Sequence, residues 1–308
     1  MFNVRSWSGR LAACALVALA VGAVAALPER AEAQIAAPAP GFASDRISVE
    51  VTGVGPDVVL IPGMASSREV WRATAEALAG DHRVHLVQLS GFAGQPWTHD
   101  EGDFLRPAVA EIERYIETAA LERPAIIGHS MGGASGVLLA QARPDLIGRV
   151  MSVDSLPFFS VLYGPDMTVE RARPFAEQAV RAGLGMDDAA FRAGQQALAQ
   201  GMSRDEATRA AMVDWSMASD RLALGLAMRD VATTDLRPGL EAMTTPVWAV
   251  YAADADGGTP AAMADAIWAR EYADLPGVRL ERVDGARHFI MADQPEAFMA
   301  LVRAFLDE

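Results

Sequence analysis

The sequence predicts an α/β fold, a mainly parallel, doubly wound sheet with a helical cap inserted into it. Three observations predict it. Short apolar runs alternate with helix-period segments along most of the chain, the pattern of strands buried between two helical layers. One such run, Ala125 to Ile127, leads straight into Gly128-His129-Ser130-Met131-Gly132 and then into a helical segment, the strand, tight turn, helix order of a nucleophile elbow. Between Leu156 and Met243 the strands stop and helical stretches take over, over a length that suits a small inserted subdomain.

The first residues stand apart from this pattern. Arg5 and Arg10 precede the apolar run Leu11 to Leu27, and Ala31-Glu32-Ala33 supplies a small-x-small cleavage site. Residues 1–33 are expected to be a secretory signal, with the mature chain starting near Gln34 in the periplasm or outside the cell. The alternative is a retained membrane anchor, for which the Ala-rich run is short. Cys14 is the only cysteine and would leave with the signal, so neither a disulfide nor thiol chemistry is expected in the mature protein. Residues 34–45 are rich in Pro and Ala at their start and are expected to form a disordered leader.

Losing Arg5, Arg10 and Arg30 against Glu29 and Glu32 takes the formal charge from −14 to −15, and every basic residue that remains is an arginine. Such an acidic chain is not expected to bind nucleic acid, nor an anionic membrane once the signal is gone. A small-molecule substrate is the expected partner; the oligomeric state is not readable.

Elements follow in order. Arg46 to Val51 alternates like an edge strand, and Val58-Val59-Leu60-Ile61 is continuous apolar sequence, as in a strand buried on both faces. Val70, Trp71, Ala75 and Leu78 repeat at helical spacing, Val84 to Leu89 is the next strand, and Phe104 to Leu121 is an amphipathic helix. After the elbow, its helix stops at Pro144, and Arg149 to Val153 forms a strand ending at Asp154. Met167 to Ala182, Asp187 to Gly201 and Asp205 to Met228 read as cap helices. Their methionines suit either filler between helices or the lining of an irregular apolar pocket. Val247 to Tyr251 and Arg279 to Val283 are the last strands, and Asp293 is expected to cap a final helix through Phe305. The core is therefore expected in residues 46–155 and 243–308, the cap in 156–242.

The chemistry begins at Ser130. Gly128 and Gly132 remove the bulk that would keep strand and helix apart, and the helix N-terminus favours developing negative charge. A serine hydroxyl needs a base, and the base an orienting acid, all on loops at one end of the sheet. Of five histidines, His82 and His85 lie at the entry side of their strand. His99 is in a polar loop that could border a pocket, and His129 should pack beside the elbow. His288 alone leaves a late strand on a short loop and is expected to be the base. For the acid, Asp254 is expected, with Asp256 and Asp154 as alternatives; all three lie where strands end.

The segments LIPGMASS, GHSMGG, the Asp254 loop and RHFIMADQPEAF together resemble the α/β-hydrolase superfamily, the esterase and lipase-like branch with a helical cap. The resemblance covers nearly all of the mature chain, and Ser, Asp, His is the family's order. It implies an α/β-hydrolase fold with an oxyanion hole made by the backbone N–H groups of Met64 and Met131. Pro62-Gly63 replaces the family's frequent His-Gly, and Ala252-Ala253-Asp254-Ala255-Asp256 departs from its usual Gly-x-x-Asp. Ser rather than Asp at position 130 points away from dehalogenase and epoxide-hydrolase chemistry. A serine hydrolase cleaving a carboxylic ester of an apolar small molecule, through an acyl-enzyme on Ser130, is expected. Carbon–carbon bond hydrolysis, aminopeptidase or cofactor-free haloperoxidase chemistry on the same triad are the alternatives, as is a non-turnover ligand-binding protein. A peptidase would want cap acids such as Asp166, Glu170, Asp214 or Asp220 near the pocket. Neither a metal nor a nucleotide cofactor is expected.

Overall fold

A computed structural model describes residues 41–308; the expected signal, residues 1–33, and the expected leader up to residue 40 lie outside the described residues. Seven strands form one sheet in the order β1-β3-β2-β4-β5-β6-β7. They are β1 (Ile47–Gly53), β2 (Asp57–Ile61), β3 (Arg83–Leu89), β4 (Ala125–His129), β5 (Arg149–Val153), β6 (Val247–Ala253) and β7 (Arg279–Asp284). β1 runs antiparallel along β3 and every other pairing is parallel. Residues that alternate along a strand face opposite sides of the sheet, and the core divides accordingly. Val59, Ile61, Ile126 and Val150 join one apolar layer, while Val58, Leu60, Ile127 and Met151 join the other.

Helices cover both layers. On one side α2 (Leu105–Thr118), α3 (Met131–Ala142) and α8 (Ala261–Glu271) pack through residues such as Ile112, Val137 and Trp268. On the other, α1 (Arg72–Leu78), with Trp71 directly before it, and α10 (Pro295–Leu306) bring Trp71, Leu78, Phe298 and Phe305 together. Between β5 and β6 the chain forms α4 (Val169–Gly185), α5 (Asp188–Met202), α6 (Glu206–Ala218) and α7 (Arg221–Thr233), with α4 packed on α7 and α5 on α6. The expected single helix from Asp205 to Met228 is two. Asp220 turns out of the helical conformation and accepts the N–H of Ala223 at 2.9 Å, so its side chain starts a new helix.

The leader also departs from expectation at its end. Phe42 meets the Tyr115 ring edge-on at 5.1 Å, and Arg114 lies over Phe42 and donates to the Ala43 carbonyl at 2.6 Å. Ser44 Oγ accepts the N–H groups of Arg46 and Ile47. One large aromatic side chain and its cation anchor residues 42–45 against α2, which composition alone does not reveal.

With β4 at the centre and all but β1 parallel, the loops leaving β2, β4, β5, β6 and β7 emerge along one edge of the sheet. These loops carry Met64, Ser130, Asp154, Asp254 and His288.

Candidate active site

β4 delivers Ser130 to the apex of a tight turn, where its backbone adopts φ 55° and ψ −120°. That conformation is held from below, since the Ser130 N–H donates to the Val153 carbonyl at the end of β5 at 2.8 Å. Both flanking glycines are required by space. A Cβ on Gly128 would lie 2.1 Å from the Gly132 carbonyl oxygen, and one on Gly132 would lie 2.2 Å from that of Ile61. The loop after β2 presses on the elbow as well, because a Cβ on Gly63 would come within 3.1 Å of the Ser130 Cβ. Met131 opens α3 and its N–H has no carbonyl one turn back to bond. Met64 and Met131 both line the cavity that Ser130 and His288 line.

His288 sits between β7 and the short helix α9 (Ile290–Asp293). Its Nδ1 donates to Asp154 Oδ2 at 2.7 Å, which fixes the tautomer and leaves Nε2 as the nitrogen able to take a proton. Asp154 is the first residue beyond β5, at φ 46°, and its other oxygen accepts the Ala252 N–H at 3.0 Å. The backbone of His288 is held too: His129 Nε2 donates to its carbonyl oxygen at 2.9 Å. Complete burial, with His288 adjacent, pushes the His129 pKa well down, so its ring stays neutral.

The expected acid is corrected by this geometry: Asp154, not Asp254 or Asp256, meets His288. Asp254 is buried and already committed. Arg204 grips both its oxygens, with Nε 3.0 Å from Oδ2, and Arg287 Nε donates to Oδ2 at 2.8 Å. The Arg204 guanidinium foremost, with Arg287, holds the Asp254 carboxyl well below the usual carboxylate range against the opposing effect of burial. Asp256, its side chain 83% exposed, meets Arg204 at 3.2 Å. Asp293 does not cap the final helix, whose preceding residue is Gln294. Its carboxylate instead accepts from Ser203 Oγ at 2.6 Å and from the N–H groups of Arg204 and Arg287 at 2.9 and 2.8 Å.

The other histidines lie elsewhere. His82 pairs with Asp81, His85 bridges Asp57 and the Tyr115 hydroxyl, and His99 lies against Trp97 and Asp45. The cavity has a volume of about 930 Å³. The insertion contributes Phe191, Met202, Met212, Trp215 and Met228 to its lining, so three of the six insertion methionines face it. None of Asp166, Glu170, Asp214 and Asp220 lines it.

Arg204 and Arg287 are not singled out by the sequence, and Asp293 is marked there only as a helix cap. The one local signal was an arginine directly before His288, a cation on the same loop edge as three aspartates.

The sequence model of the Alpha/beta hydrolase family matches residues 58–301. A pimeloyl-[acyl-carrier protein] methyl ester esterase from Vibrio atlanticus is 31% identical over 122 residues, 40% of this chain and 45% of that protein, less than half of either. An enzyme of the same name from Aliivibrio fischeri is 26% identical over 84% of this chain and 96% of its own length. The crystal structure of an enol-lactonase from Burkholderia xenovorans superposes with a TM-score of 0.69 at 20% identity, covering 85% of this chain and 96% of that one; at that identity the likeness is one of fold.

Proposed function

The chain belongs to the alpha/beta hydrolase family, and from that premise we propose that it is a serine hydrolase cleaving carboxylic esters with an apolar acyl or alcohol part. The observation that carries this is the 2.7 Å bond from His288 Nδ1 to Asp154 Oδ2, which leaves Nε2 free to serve Ser130 in the cavity both residues line. His288 takes the Ser130 proton as Oγ attacks the ester carbonyl. The N–H groups of Met131 and Met64 hold the resulting oxyanion, and His288 returns the proton to the departing alcohol. Water, deprotonated by the same histidine, then releases the acid from the acyl-enzyme. Asp154 keeps the ring oriented and stabilises its charged form throughout.

The bond class is supported by the two relatives, both pimeloyl-[acyl-carrier protein] methyl ester esterases. An apolar substrate is supported by the methionine and aromatic lining contributed by the insertion. Cavity walls free of Asp166, Glu170, Asp214 and Asp220 favour an ester over a substrate with a free amino terminus. Export belongs to the same proposal and rests on residues 1–33 of the sequence alone; labelled protein recovered only from cytosol would remove it.

The test is fluorophosphonate labelling with peptide mapping, alongside turnover of a series of acyl esters. Labelling is expected at Ser130, lost in Ser130→Ala and His288→Ala, with kcat falling on the order of 10⁴-fold in Asp154→Asn. Undiminished turnover by Asp154→Asn would overturn the acid assignment. Absence of both labelling and turnover in folded wild type would replace the hydrolase with a ligand-binding protein.

A further inference from the structure

A second polar network lies where the insertion meets the loop carrying His288. At its centre is Asp254, 5% exposed. Arg204, in the link between α5 and α6, reaches it from the insertion, and Arg287, the residue before His288, reaches it from the sheet edge. Arg287 also donates through Nη1 to the Gln200 carbonyl. Five residues beyond His288, Asp293 accepts from Ser203 Oγ and from the N–H groups of Arg204 and Asp205 on the insertion side, and from the Arg287 N–H on its own. The Phe289 N–H donates to the Met202 carbonyl at 3.1 Å. Residues 200–205 are therefore bonded to the chain on both sides of His288, while His288 itself is bonded to Asp154 and, through its carbonyl, to His129.

We propose that Asp254 is a positioning residue, and that the Arg204–Asp254–Arg287 clasp makes correct placement of His288 depend on docking of the 200–205 segment of the insertion. The inference rests on the reading of His288 as the base. A buried ionic network contributes little net stability compared with well-packed apolar side chains, so stability alone is a weak reason for two arginines to converge here. Its position is the stronger argument. Met202, Asp254 and Arg287 line the same cavity as Ser130, so an ester filling that cavity touches the clasp and the reacting serine together. The wall that a substrate presses on and the segment that holds the base are then one and the same.

Arg204 gives the cleanest test, since its guanidinium bonds Asp254 and Asp256 and the residue does not line the cavity. In Arg204→Ala, kcat for a short acyl ester should fall on the order of 10- to 100-fold, the effect of a small misplacement of a catalytic group. KM should stay within about twofold, and the rate of fluorophosphonate labelling at Ser130 should fall in parallel. Arg204→Lys, which restores one bond to Asp254, should recover part of kcat. Amide exchange should rise across residues 285–294 of Arg204→Ala while the β2, β4 and β5 amides keep their protection. Unchanged kcat and labelling rate with a lowered thermal midpoint would overturn the proposal and leave a purely structural ion network. If wild type shows no labelling at all, the hydrolase reading fails instead; exchange across 285–294 then decides the clasp, and unchanged protection there overturns it.

Discussion

Ser130 is held at φ 55° and ψ −120°, a conformation that costs a residue bearing a Cβ on the order of 1–3 kcal/mol. The surroundings hold it there: the Ser130 N–H bonds the Val153 carbonyl, and the strand and helix meet closely at the glycines at 128 and 132. If the strain is stored, removing the Cβ should release part of it. Ser130→Gly is expected to lose all ester turnover and raise the thermal midpoint by about 1–2 °C, the shift that ~1 kcal/mol produces in a chain of this size. Scanning calorimetry of the two proteins checks this, and a lower midpoint for the glycine variant would show that the elbow is not strained. Residues at this scale differed in how legible they were. Ser130 and His288 are marked by short local motifs, GHSMGG and RHF, because a sharp turn and a short exit loop demand particular neighbours. The aspartates are not. Asp154, Asp254 and Asp256 all follow strands at the same sheet edge, and what separates them is a partner distant in sequence. Arg204, 50 residues upstream in the insertion, occupies Asp254, and no local pattern announces that.

Elements were read well where burial imposes a period and less well where a side chain ends one. The five inner strands, β2 to β6, lie within a residue or two of the apolar runs that announced them, since a strand between two apolar layers has no polar face to confuse the pattern; the edge strands β1 and β7 alternate or carry charges and still begin and end within two residues of the expected positions. The insertion helices failed at Asp220, where helical spacing continues through a cap that only the Asp220 to Ala223 bond reveals. A related device joins insertion to core. α2 begins after Phe104, which offers no capping side chain, and Asp230 of α7 supplies one from outside. Its Oδ2 accepts the N–H groups of Phe104 and Leu105 at 2.6 and 3.0 Å. Asp230→Ala removes the cap of one element and the anchor of another. A loss of about 1–2 kcal/mol is expected, read as a lowered denaturation midpoint at unchanged m-value, with faster amide exchange at residues 104–107 and in α7. Exchange unchanged in α7 would show that the bond serves α2 alone.

Across the whole molecule, acid acts through opposing effects with separate windows. The net charge of −14 repels itself at neutral pH, and that repulsion fades on acidification towards the pI, a change that favours the compact state. Two histidines act the other way. Burial pushes His85 and His129 below their usual 6.5, so between 6.5 and their folded values the unfolded chain binds protons that the folded chain does not. Stability therefore falls as pH drops through 6.5, at most by about 1.4 kcal/mol per pH unit for each histidine. Asp254, whose carboxyl the two arginines hold below 3.8, contributes stability that is present above 3.8 and lost only below it, so it is silent in this range. The charge was readable from composition, whereas the burial of His85 against Tyr115 and of His129 against His288 depends on the finished fold. Two slopes of up to ~1.4 kcal/mol per unit outweigh the diffuse relief of surface repulsion, which salt screens. The wild-type thermal midpoint is accordingly expected to fall between pH 7 and pH 5.5. Replacing both rings by groups that cannot charge, His85→Gln with His129→Asn, removes the opposing slope whatever it does to the midpoint at neutral pH. The double variant should hold level or rise over the same interval. A fall as steep as that of wild type would assign the acid sensitivity to other groups.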